Sequence, residues 1–349
     1  MKNIDMKNKR LVFLDLARGL AVFFMIMQHT VIIYGINEGE NSLLAGLFVL
    51  AGTAPAAPVF MFIMGIFFLR SQNTQKNILR GMKLIGLGYL LNFLRFALPV
   101  FLAGEGIIEV IKVLMAVDIL QLAGLSLIIL SFVRKLKPSA WLVITVVVAI
   151  ISPFLWKYAP KNYFFDLFWG TNKNIAFPLF PWLIYPLLGM YWGNLLWKEK
   201  DISRLIKKSA SLGLLIFFVG LIIFLCVKSP VIPSDCYSRY GFQMHLMITG
   251  FVLVWLWLFA VIEKYVSHWK ITKLLSFWSI NVTSIYFIQW ILAGWGILVF
   301  GYREISPVIT VIIGLTVTII THFLTILYTS IKDFIKFRKS EDKLDLYQK

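Results

Sequence analysis

Asp15, Arg18 and His29 are three ionisable side chains set in a stretch that is otherwise apolar from Leu11 onward. Ionised groups at membrane depth are costly and tend to mark a site or a pair. Arg18 and His29 are eleven residues apart. At about 100° per residue that spacing returns to within about 20° of the same direction, roughly 16 Å further along a helix. Asp15 lies one turn before Arg18, so the three groups share one stripe. An imidazole there can take a proton from a hydroxyl or amine, or carry an acyl group, and it ordinarily titrates near about pH 6.5. A guanidinium can hold phosphate, and Asp15 is placed to orient Arg18. The competing reading is an i,i+3 ion pair that fixes packing, with His29 as an interfacial residue.

A mean hydropathy of +0.81 and 59% apolar residues in 349 exclude a water-soluble globular chain. The apolar runs are apolar all round rather than alternating, which excludes a β-barrel. The expected fold is an all-α polytopic membrane protein with about ten transmembrane helices. They fall at 11–35, 43–69, 79–103, 107–133, 139–156, 176–197, 209–228, 244–263, 274–300 and 306–331. The first of these is too long and too charged for a cleaved signal peptide. The net charge of +17 sits in short tracts between spans, which argues against nucleic acid as a partner. Those tracts fall on alternate loops, so the positive-inside rule places both termini in the cytoplasm. No linker or repeat divides the chain, and 1–349 reads as one domain.

The run Leu14-Asp15-Leu16-Ala17-Arg18-Gly19-Leu20-Ala21, followed by Met25 and His29, resembles the opening signature of the heparan-α-glucosaminide N-acetyltransferase catalytic-domain family. The Arg18-to-His29 spacing is also similar to that of membrane acyltransferases that O-acetylate bacterial polysaccharides. Further matches are Ala57 through Gly65, Asp118 through Leu125, Phe177-Pro178-Leu179-Phe180-Pro181-Trp182 with Gly189, and Asn281 through Gln289. One departure is Gln289, where such proteins often carry a histidine three residues after the tyrosine matched by Tyr286. The resemblance implies a multi-pass plasma-membrane acyltransferase with acetyl-CoA, or another short acyl-CoA, as cytoplasmic donor. A glycan or glycolipid acceptor on the far side is implied as well, with no metal. His29, Arg18 and Asp15 are then the catalytic candidates. Arg18, Arg70, Arg80 and Lys83 are candidates for the CoA phosphates, with plain positive-inside anchoring as the other use of Arg70 and Arg80. His245, Arg239 and Tyr237 are candidates for the acceptor, a solvated interfacial histidine being the alternative at His245.

Several other features carry expectations. Asp118 and Arg95 are expected to pair inside the bundle or to form tunnel wall, with Asn92 and Gln121 beside them. Thr53-Ala54-Pro55 with Pro58, and Pro178 with Pro181, should interrupt their helices and free backbone carbonyls. Gly189 and Gly193 are spaced for close helix contact, and the aromatic residues of 156–182 read as an interfacial belt. His322 reads as a buried hydrogen-bonding residue. A Cys226 to Cys236 bridge is geometrically open but not expected. Two other functions stay open: a transporter or flippase using an Asp15, Arg18, Asp118 and His29 path, and a non-catalytic envelope component. A homo-oligomer is open too.

Overall fold

Hydrophobic spans demand internally satisfied backbone, and the computed structural model answers with helices. It describes residues 10–36, 43–53, 55–160, 162–172, 174–227, 239 and 241–347. No strand occurs among the described residues, only isolated bridges at Gly35 with Ile305 and Val117 with Ile175. In chain order the helices are α1 (Val12–Tyr34), α2 (Leu43–Thr53), α3 (Ala56–Phe68), α4 (Thr74–Asn92), a π turn (Phe93–Ala97) and α5 (Leu98–Leu102). Next come α6 (Ile107–Leu114), α7 (Ile119–Val133), α8 (Pro138–Lys157), α9 (Tyr163–Trp169), α10 (Leu179–Trp182) and α11 (Ile184–Leu196). The last five are α12 (Ile202–Cys226), α13 (Phe242–Val266), α14 (Lys270–Ile280), α15 (Val282–Phe300) and α16 (Pro307–Tyr347).

Eight stretches among the described residues are long and apolar enough to cross a bilayer. The two expected spans outside that set are broken. The 107–133 run divides into the amphipathic α6 and the 15-residue α7; the latter is about 22 Å long, short of a roughly 30 Å hydrocarbon core. The division comes from Asp118, which caps α7 by accepting from the Ile119 N–H at 2.7 Å while Gln121 Oε1 accepts from the Asp118 N–H at 3.2 Å. The 176–197 run divides at α10 and α11, next to the expected prolines. Span 2 breaks between Thr53 and Ala56, and the Thr53 hydroxyl donates to the Val49 carbonyl at 2.7 Å. Two helices begin earlier than their apolar runs. Asn73 caps α4 through the Lys76 N–H at 2.8 Å, and Asp201 caps α12 through the Arg204 N–H at 3.0 Å.

The first helix is the axis of the bundle. Leu14, Ala17, Ala21, Val22 and Met27 are completely buried, packed among α2, α3, α13, α14, α15 and α16. Beside it α3 and α11 meet at backbone distance: a Cβ at Gly189 would overlap the Phe62 carbonyl, and one at Gly193 would press on Ile66. That is the close contact expected of this glycine pair, and it fixes α3 against α11. The outward faces of α12 and α16, including Leu215, Phe218, Ile319 and Phe323, are exposed and apolar, as surfaces that meet lipid must be.

Candidate active site

The stripe on α1 holds two separate polar groups. At its first turn Asp15 is buried, accepts two hydrogen bonds and pairs with a further cation. Arg10 Nε lies 2.8 Å from Oδ2, the Ser279 hydroxyl donates to Oδ1 at 2.7 Å, and Arg18 Nη2 stands 3.6 Å from Oδ1. Arg18 also donates through Nε to Ser279 at 2.8 Å, so α14 supplies the hinge between carboxylate and guanidinium. Arg18 lies over the Phe67 ring at 5.9 Å, and Arg70 lies over Phe67 at 4.8 Å and Trp197 at 4.4 Å. Burial pulls the Arg70 guanidinium below its ordinary value and Asp15 pushes the other way. Arg80 is exposed yet near enough for its charge to act on Arg18. Lys83 is exposed one turn further along α4. Arg18 and Arg70 thus share the Phe67 ring, with Arg80 and Lys83 on the exposed side of α4.

About three turns further along α1, His29 is half-buried and opens into a cavity rather than toward lipid. The cavity is small, about 30 Å³, and its polar lining is His29, Gln28, Thr53 and Tyr286. Its apolar wall includes Met25, Phe60, Ile119 and Trp182. The broken second span creates the space: Gln28 Nε2 donates to Thr53 Oγ1 at 2.7 Å where α2 ends. Gln289 of α15 reaches His29 Nδ1 through its amide Nε2 at 3.1 Å, and the His29 ring lies against Trp290 with centroids 4.3 Å apart. Trp290 in turn carries the Arg95 guanidinium at 4.3 Å.

Arg95 forms the expected ion pair with Asp118, at 2.7 Å. It also donates to Asn92 Oδ1 at 2.9 Å, while Asn92 Nδ2 holds the Ala116 carbonyl at 2.7 Å. Arg95 lies in the π turn and is buried with Asn92 and Ala97, and a Cβ at Gly294 would collide with the Arg95 carbonyl. Tyr286, buried and lining the cavity, faces Asp118. Around His29, three buried polar atoms have no hydrogen-bond partner among the described residues: Arg95 Nε and Nη1, and Gln289 Oε1. Buried polar groups are normally paired, so these atoms are open to hydrogen bonds from a polar molecule in the cavity.

The two groups are not joined. The cavity wall ends at Met25 and Phe60, and Met25 lies about 10 Å along α1 from Arg18. Ala21, Val22 and Ile63, all completely buried, fill the interval. The acceptor candidates lie behind the cavity. His245 is buried and shares a 2.9 Å hydrogen bond with the Tyr185 hydroxyl, and the Tyr185 ring packs on Trp182 at 5.4 Å. Arg239 is buried, donating to the Gly170 carbonyl and, at 3.4 Å, to that of Ile175. Tyr237 and Cys236 lie outside the described residues, and Cys226 is a free, exposed thiol. His322 accepts from Trp278 Nε1 at 3.2 Å, the hydrogen-bonding role expected of it, but it is half-buried rather than buried.

Trp290, Gln28 and Ser279 are members of these groups that sequence reasoning did not single out, whereas Thr53 was read only as part of a helix break. Only Trp290 carried a signal, standing one residue beyond the Tyr286 to Gln289 match. A comparison with curated proteins finds no match. The family profile described as "Heparan-alpha-glucosaminide N-acetyltransferase, catalytic" matches residues 10–229, a stretch that holds His29, Arg18, Arg70 and the Arg95 to Asp118 pair. The chain belongs to the heparan-alpha-glucosaminide N-acetyltransferase catalytic family, a family of membrane acetyltransferases.

Proposed function

We propose that this protein moves an acetyl group from acetyl-CoA on the cytoplasmic side of the plasma membrane to a hydroxyl or amine of a glycan or glycolipid on the other side. The observation that carries the reading is His29, open to a cavity and ringed by buried polar atoms that lack partners. On this reading His29 is the general base for the acceptor. Tyr286 is a donor for the oxygen that gains charge when the thioester carbonyl is attacked. Arg18 and Arg70, with Arg80 and Lys83 at the mouth, take the CoA phosphates through charge-assisted contacts, and Asp15 orients Arg18. His245 and Arg239 serve the acceptor indirectly, by holding the wall that contains Trp182 and Phe177. The packed interval at Ala21, Val22 and Ile63 must part for the thioester to reach His29, so donor entry is coupled to a helix movement.

The test is transfer of label from radiolabelled acetyl-CoA to extracted envelope glycans by the purified protein. His29→Ala should abolish transfer while CoA binding and folding persist. Turnover retained in that variant would overturn the assignment, and substrate flux without acetyl-CoA would favour a carrier.

A further inference from the structure

A neutral imidazole carries one proton on one of two nitrogens, and the partner of the other nitrogen decides which. Gln289 is completely buried, and its amide Nε2 lies 3.1 Å from His29 Nδ1 and 3.4 Å from the Tyr286 carbonyl oxygen. A carbonyl oxygen only accepts, so the amide turns its NH₂ toward it; the reverse orientation would set two oxygens face to face. With the NH₂ held there, His29 Nδ1 accepts and the ring proton belongs to Nε2. That form is a hydrogen-bond donor, suited to a carbonyl oxygen and unsuited to removing a proton. The same orientation leaves Gln289 Oε1 buried without a partner, and a half-turn of the terminal amide would give that oxygen a donor once the proton sits on Nδ1.

We propose that Gln289 is a positioning residue that sets the tautomer of His29, holding the resting ring in the Nε2–H form and releasing it as a base only when the amide turns over. In the turned state Nδ1–H donates to Gln289 Oε1 and Nε2 bears the lone pair. Nε2 then takes the proton from the acceptor O–H or N–H as that atom bonds to the thioester carbonyl carbon. The C–S bond breaks, the departing thiolate takes the proton back from Nε2, and the ring ends neutral. The other charged or titratable groups facing the ring are Asp118 of α7, Arg95 of the π turn and Tyr286 of α15. An amide in an orienting position has a known effect: in serine hydrolases, replacing the orienting carboxylate by an amide lowers kcat by about 10⁴ because the wrong tautomer is held.

The catalytic consequence rests on the acetyl-transfer reading, whereas the tautomer does not. Imidazole-¹⁵N-labelled full-length protein in detergent, with the His29 signals identified from a His29→Asn difference spectrum, reads the tautomer directly at about pH 8, where an ordinary imidazole is neutral. The wild type should show Nε2–H. Gln289→Glu, whose carboxylate only accepts, should move the ring to Nδ1–H and raise kcat by about tenfold or more with little change in KM. Gln289→Leu offers neither donor nor acceptor and should give a mixture of tautomers, which keeps the test available if the glutamate variant fails to fold. A wild-type Nδ1–H signal, or one tautomer common to all three proteins, would overturn the proposal. The expected tautomers without acetyl transfer in any of them would uphold it and overturn the acetyl-transfer reading instead.

Discussion

Deleting one charge of the Arg95 to Asp118 pair should cost far more than deleting both. At 2.7 Å, and with an effective dielectric of about 20, the mutual attraction is about 6 kcal/mol. Both side chains are nearly sealed from solvent, at 4% and 9% exposure, so the loss of hydration offsets most of that gain. The net value of the intact pair is therefore small. A lone survivor, in contrast, is a buried charge with no counter-ion, and Asp118→Asn or Arg95→Met should each destabilise by about 3–5 kcal/mol. Asparagine caps helices about as well as aspartate, so the start of α7 survives in the first variant and the charge alone is tested. The double variant should be no worse than either single one. Denaturant unfolding of the detergent-solubilised protein, followed by tryptophan fluorescence, measures all four members of the cycle. An Asp118→Asn variant within about 1 kcal/mol of the wild type, or a double variant equal to the sum of the singles, would refute the account of Arg95 as a charge-anchored support for Trp290.

Gly189→Val should drive Cβ into the Phe62 carbonyl and cost at least about 1–3 kcal/mol of overpacking, seen as a collapsed monodisperse yield on size exclusion. Tyr34→Phe removes a buried 2.7 Å hydrogen bond to the Ala293 carbonyl, and denaturant unfolding should register a loss of about 1 kcal/mol. Neutralising Arg80 and Lys83 together should weaken CoA binding in calorimetry by about tenfold or more at low salt, with less effect at high salt; unchanged binding would make them anchors. Burial raises the Asp166 carboxyl above its ordinary value against the pull of Asn172 and Arg239. Its contribution is then full below the ordinary carboxylate range and lost as pH rises through the raised value. Thermal unfolding across that window should show the wild type losing stability relative to Asp166→Asn.

Charge inside an apolar run is a loud signal, and so the stripe on α1 and the partnership of Arg95 with Asp118 were legible: each opposite charge had few places to go. The breaks at Thr53 and Pro178 were legible because proline cannot continue the backbone ladder. Hydropathy failed where polarity and helicity part company. The first turns of α4 and α12 are rich in Gln, Lys and Arg, and only their Asn73 and Asp201 caps mark the true starts. The split of the fourth span was written in Asp118 and Gln121, a cap-and-return pair that reads as membrane-buried polarity until its helix start is seen. The surroundings of His29 were the least legible part. Trp290 and Gln28 are ordinary residues of spans, and their role comes from a helix crossing and a broken helix that bring distant segments to one ring.

The packed collar of Ala21, Val22 and Ile63 has an electrical meaning. Buried apolar side chains between the two polar groups should keep a wire of water from joining them, so the idle protein should leave the ion gradients of its membrane intact. Liposomes carrying it should hold a proton gradient as well as empty ones do, and small polar substitutions at Val22 should make them leak.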